Sequence, residues 1–77
     1  MKVRIRLDTV SDIGNFILAI ANVKSPVRIM DNKDRCVDGK SFLGVAHATE
    51  FDELYCVCDE DIYSKIKDFV VEEDVNK

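Results

Sequence analysis

No stretch of this 77-residue chain approaches the ~18 consecutive apolar residues of a membrane-crossing helix, which argues against an integral helical membrane protein. The opening residues MKVRIRLD lack the apolar stretch of a secretion signal, and the expectation is a soluble cytoplasmic protein. Cysteine is scarce and poorly arranged for disulfides. Cys36, Cys56 and Cys58 make an odd number without a CxxC pair, which fits a reducing compartment. Positive charge is in deficit, 11 Lys and Arg against 15 Asp and Glu, and the resulting net charge of −4 disfavours a phosphate backbone as partner. Nucleic acid is therefore not expected. No repeat, linker or low-complexity segment interrupts the chain, so residues 1–77 read as a single domain.

What is present is the balance of a globular fold, 47 % hydrophobic and 34 % charged. Val3, Ile5 and Leu7 alternate with Lys2, Arg4 and Arg6, the period-two pattern of a strand with one buried face. From Ile13, apolar residues recur at Phe16, Ile17, Ile20 and Val23 with helical spacing, and Ser11 or Asp12 is the expected cap. Val27 and Ile29, after Pro26, read as a second strand. The cluster Asp31-Asn32-Lys33-Asp34 turns the chain into a third, Arg35 to Val37. Ser41 stands where a cap belongs, before a short helix carrying Phe42, Leu43 and Val45. Leu54, Cys56 and Cys58 alternate with Tyr55 and Val57 as a fourth strand, and Asp59 is the expected cap of a last helix with a stripe of Ile62, Ile66, Phe69 and Val70. The carboxylates from Glu72 to Asp74 oppose the dipole at that helix's end, so the tail should fray. The resulting fold class is α+β, in the order βαββαβα: an open-faced sandwich with three helices on one face of a four-stranded antiparallel sheet. The other, more polar face should carry Arg4, Arg6 and Tyr55.

The segment Val37-Asp38-Gly39-Lys40-Ser41-Phe42-Leu43-Gly44-Val45 resembles the stretch of HPr phosphocarriers that leads from the third strand into the second helix, and the element order agrees over nearly the whole chain. The Gly-Lys-Ser is not a nucleotide loop, because the Walker pattern needs a glycine at position 34 and Asp34 stands there. In that family the first helix begins with Gly, an apolar residue, His, Ala, Arg and Pro, the histidine carrying the phosphoryl group. Those positions fall on Val10, Ser11, Asp12, Ile13, Gly14 and Asn15. Asp12 offers no ring nitrogen and Gly14 no cation for phosphate oxygens, and no histidine precedes His47. The resemblance thus implies a non-catalytic regulatory or partner-binding relative, unable to carry phosphate on histidine and needing no cofactor. Asp12 is open to two readings, a helix-start carboxylate or a permanent anion imitating the phosphorylated state.

In some family members the serine at the motif position is phosphorylated by a dedicated kinase, and the product binds a transcription regulator. The resemblance therefore implies a regulatory phosphorylation site at Ser41 as well as a cap. It also implies protein partners, among them phosphotransferase-system components, a serine kinase or a transcription regulator. The expected partner surface comprises Phe42, Leu43, Phe16 and His47, with Phe42 more exposed than Leu43. Two other readings compete. Cys56 and Cys58 could form a metal or redox module, against which stands their phase with Leu54, which buries both, while Cys36, next to buried Val37, should point the other way. The other is a phosphocarrier that uses a different residue.

Overall fold

The computed structural model describes residues 1–71. Its elements are β1 (Lys2–Ile5), α1 (Val10–Ile20), β2 (Val27–Met30), β3 (Cys36–Asp38), α2 (Phe42–Ala48), β4 (Leu54–Cys58) and α3 (Tyr63–Ile66), followed by a 3₁₀ turn (Lys67–Phe69). This is an α+β fold. The four strands form one antiparallel sheet in the order β1-β4-β2-β3, with Ile5 opposite Leu54, Ile29 opposite Cys56 and Ile29 opposite Val37.

Strand alternation sorts the side chains. Ile5, Ile29, Leu54 and Cys56 enter the core beneath the helices, where Phe16, Ile20, Val45, Ile62 and Ile66 meet them. The opposite face carries Lys2, Arg4, Arg28, Met30, Tyr55 and Val57, and Lys2 Nζ lies 5.0 Å from the Tyr55 ring centroid. Arg4 reaches Glu53 at 3.5 Å on that side.

Helix α1 begins earlier than the apolar spacing indicates. Its cap is Thr9, not Ser11 or Asp12: Thr9 Oγ1 accepts the Asp12 N–H at 3.0 Å, and Asp12 Oδ2 accepts the Thr9 N–H at 3.2 Å. This reciprocal box satisfies two otherwise unpaired donors and sets the start three residues ahead of Ile13. The helix ends at Ile20, and Val23 is buried beyond it. Strand β3 is shifted by one residue from Arg35–Val37 to Cys36–Asp38, because Arg35 is held in the preceding loop by Asp31.

The last helix departs furthest from expectation. Asp59 does not cap it; the cap position is Ile62, whose N–H donates to Met1 Sδ at 3.0 Å, and Asp61 accepts from Tyr63 N–H at 3.1 Å. Val70 is extended rather than helical. It bridges Ile5, while Arg6 N–H donates to Phe69 O and Val71 N–H to Arg4 O, both at 2.9 Å. The chain thus leaves the helical layer to cover the β1 edge, which is where the expected helical stripe breaks. The expected fraying after Glu72 lies outside the described residues.

Candidate partner-binding site

The motif from Asp38 to Gly44 builds the β3–α2 junction. Asp38 Oδ1 accepts the Lys40 N–H at 2.9 Å and Asp38 O accepts the Ser41 N–H at 3.1 Å, closing the turn. Gly39 sits so close to β2 that a Cβ would meet both the Val27 side chain and the Val27 carbonyl at 2.9 Å. Lys40 is turned inward and its ammonium donates to Val23 O. Ser41 Oγ then caps α2 by accepting the Gly44 N–H at 3.1 Å. Gly44 packs against the Asp38 carbonyl, at 3.3 Å from an added Cβ. Each residue of the motif except the two apolar ones after Ser41 is therefore engaged in shaping this corner.

Phe42 and Leu43 are left for solvent. Phe42 is 45 % exposed and Leu43 81 %, the reverse of the expected order. The helical period explains it: Phe42 lies on the same flank as half-buried Ala46, whereas Leu43 is about 100° further round and clear of the core. The flank bearing Gly44 faces β3, so the Phe42 flank is the one turned towards α1, against which α2 packs.

On α1, Val10, Gly14 and Leu18 form one line at i, i+4 and i+8, and Val10 is 71 % and Leu18 74 % exposed. Asp12, Asn15 and Ala19 line the opposite flank, in a cleft shared with Lys65, Asp68 and Phe69. The Val10–Leu18 line consequently lies on the α2 side. Two helices that pack together thus carry four exposed apolar side chains, Val10 and Phe42 on the flanks that face each other and Leu18 and Leu43 further round towards solvent. Sequence reasoning missed Val10 and Leu18, although both fall outside the Ile13–Phe16–Ile20 stripe and that was a readable signal.

Phe16 does not belong to this surface. It is fully buried and meets Phe69 edge-on, centroids 5.7 Å apart, because it occupies the centre of the core stripe of α1. Asp12 is separate from it as well, on the α3 side of α1, with its carboxylate holding the N–H groups of Asp8 at 2.9 Å and Thr9. His47, on the last turn of α2, is exposed and packs edge-on against Phe51 at 6.3 Å.

Asp31, which the sequence marks only as a turn residue, is 3 % exposed. It accepts the N–H groups of Lys33 and Arg35, both at 2.8 Å, and the Arg35 Nε at 2.5 Å. Burial pushes its carboxyl up. The Arg35 side-chain bond, the two backbone bonds and the guanidinium charge together outweigh burial and hold the group below its ordinary value. Within the same loop Asp34 adopts φ 71°, a left-handed conformation that aspartate tolerates.

Cys56 and Cys58 are buried side by side on β4, whereas Cys36 is exposed on the far face. Burial, with a smaller contribution from Cys58, pushes the Cys56 thiol up to about 12. Among the described residues, no group of three or more His, Cys, Asp or Glu is arranged to hold a metal ion. Nor is any helix among them long and apolar enough to cross a membrane.

What these features define is an α+β domain with an exposed apolar flank on paired helices. No family model matches the chain, and neither does any curated protein or solved structure.

Proposed function

We propose that this is a non-catalytic cytoplasmic protein, related to the HPr phosphocarriers, that binds a protein partner through the flank shared by α1 and α2. The observation that carries the reading is the exposure of Val10, Leu18, Phe42 and Leu43 on two helices that pack together. Single apolar residues at a surface are ordinary, but four exposed on two packed helices of an 8.8 kDa protein support a contact surface there. The relationship to HPr rests on the Val37–Val45 motif and the βαββαβα order. The loss of phosphocarrier chemistry rests on Asp12 and Gly14.

Ser41 is the regulatory position in this reading. Phosphate there would stand beside Phe42 and Leu43 and change the charge of the docking surface, while the cap geometry is compatible with an anion at the start of α2. Phosphotransferase components, a serine kinase and a transcription regulator are the proposed partner classes.

Intact-mass measurement tests this directly, after incubation with phosphoenolpyruvate and the first enzyme of the phosphotransferase system, and separately with an HPr serine kinase and ATP. The expected results are no labile phosphoryl adduct in the first case and one stable phosphate on Ser41 in the second. A labile adduct formed by the first enzyme overturns the non-catalytic reading. Partner capture that is unchanged by Leu43→Glu overturns the α1–α2 flank.

A further inference from the structure

The two edges of the sheet are treated differently. Phe69 to Val71 cover the β1 edge through the Ile5–Val70 bridge and two flanking backbone hydrogen bonds. At the other edge, β3 is the last strand in the order. Its backbone alternation can be read from its partners: Ile29 faces Val37, Asp31 N–H donates to Arg35 O at 3.1 Å and Gly39 N–H to Val27 O at 2.7 Å. The odd-numbered residues therefore use their peptide groups on β2, and Cys36 and Asp38 turn theirs outward. The Asp38 carbonyl is taken by Ser41, which leaves the Cys36 N–H, the Cys36 C=O and the Asp38 N–H directed at an edge that no other strand covers among the described residues.

A cleft of about 430 Å³ runs beside these groups. Its walls combine apolar surface from Pro26 and half-buried Val37 with the cations Lys24, Arg28 and Lys40, while Val27 at its floor is buried in the core; among the described residues Asp38 is the only carboxylate lining it. On a chain of net charge −4 this corner is locally positive. Arg28 is exposed and forms no ion pair among the described residues.

We propose that the β3 edge is a second docking site, independent of the α1–α2 flank, which takes an acidic extended segment of another protein as an added strand. The three outward peptide groups supply the main-chain hydrogen bonds, and the apolar wall takes alternate side chains of the incoming strand. Lys24 and Arg28 select for its carboxylates, and Lys40, tethered to Val23 O, adds a fixed positive charge. A second copy of this chain is the weaker occupant, because pairing two β3 edges about a two-fold axis would set this basic corner against itself.

The test uses a fluorescein-labelled peptide, Glu-Val-Glu-Val-Glu-Val, with Lys-Val-Lys-Val-Lys-Val as its charge-reversed control, read by anisotropy and by amide NMR of the full chain. The acidic peptide should shift the Cys36 and Asp38 amide resonances and slow their exchange with solvent. Added salt should weaken its binding. Arg28→Glu, at an exposed position, should weaken it on the order of fivefold with the fold intact. Cys36→Pro removes one edge donor at a position where an edge strand tolerates proline, and should abolish the shift at Asp38. Absence of binding at about 1 mM peptide, which is ~−4 kcal/mol, overturns the site. So do equal binding of the basic control and shifts confined to α1 and α2. Peptide-free dimerisation through β3, seen by sedimentation, overturns the proposed occupant in favour of a second copy.

Discussion

Arg35 closes over Asp31 with its Nε 2.5 Å from Oδ2, while its guanidinium carbon lies 4.3 Å above the centre of the Phe51 ring. One side chain thereby joins the β2–β3 loop to the chain leaving α2, and Phe51 carries the contact on to His47. The Asp31 carboxylate is the anchor of that link. Its charged form is favoured in the native state, so it contributes stability that is present above the ordinary carboxylate value of ~3.9 and is lost as pH falls through its lowered native value. Urea unfolding followed at pH 7, 5 and 3 should show a loss of stability concentrated below about pH 4. In Asp31→Asn the acid loss should shrink and the stability at pH 7 should be lower. An unchanged acid profile in that variant would remove Asp31 from the account.

The two most informative glycines should respond in opposite directions. Gly39→Ala forces a Cβ to within 2.9 Å of the Val27 carbonyl, which is backbone and cannot yield cheaply, so the junction should open and the protein lose on the order of 1–3 kcal/mol. At Gly14, in mid-helix, nothing lies within 4 Å of an added Cβ, and Gly14→Ala should raise stability by about 0.5–1 kcal/mol. Paired thermal melts decide both.

Removal of the cap hydroxyl at Ser41 should cost on the order of 1 kcal/mol, because Ser41→Ala leaves the Gly44 N–H without its acceptor. Ser41→Asp should keep most of that stability, since a carboxylate also accepts the N–H at this position and suits the helix start. Equal denaturation midpoints for wild type and Ser41→Ala would refute the cap.

The thiols should separate into one fast and two slow. Iodoacetamide at pH 8 should modify Cys36 in the native protein and reach Cys56 and Cys58 only on unfolding. Cys56 is held protonated by burial, so the stability tied to that neutral thiol is fully present below its unfolded value, near 8.5, and is lost as pH rises towards about 12. Peptide mapping after timed alkylation, together with unfolding at pH 8 and pH 10.5, checks the two halves.

The strand pattern, the element order, the burial of Cys56 and Cys58 and the Ser41 cap were legible because each depends on residues close in sequence and on periods of two or 3.6. The capping box was legible in principle: Thr9-Val10-Ser11-Asp12 has the required spacing, but Ser11 and Asp12 drew the helix start inward. The start of α3 could not be read locally. The Ile62 N–H is met by Met1, 61 residues away, and no property of the sequence around Asp59 announces that partner. Phe16 was misplaced for a different reason: its position in the core stripe spoke for burial, and the expected partner surface of the first helix pulled it outward. Asp31 looked like any turn aspartate, since its burial arises from the folding of Arg35 back over it.

The placement of β1 has a consequence for synthesis of the chain. This strand is made well before its sheet neighbour β4, since 49 positions separate Ile5 from its opposite residue Leu54. At ~5–20 residues per second, the growing polypeptide carries Val3, Ile5 and Leu7 for several seconds before their cover exists. Lys2, Arg4 and Arg6 sit between them throughout that interval. Like charge at these three positions disfavours pairing between two unfolded copies of the strand, and in the folded protein the same side chains find partners, Lys2 over Tyr55 and Arg4 against Glu53.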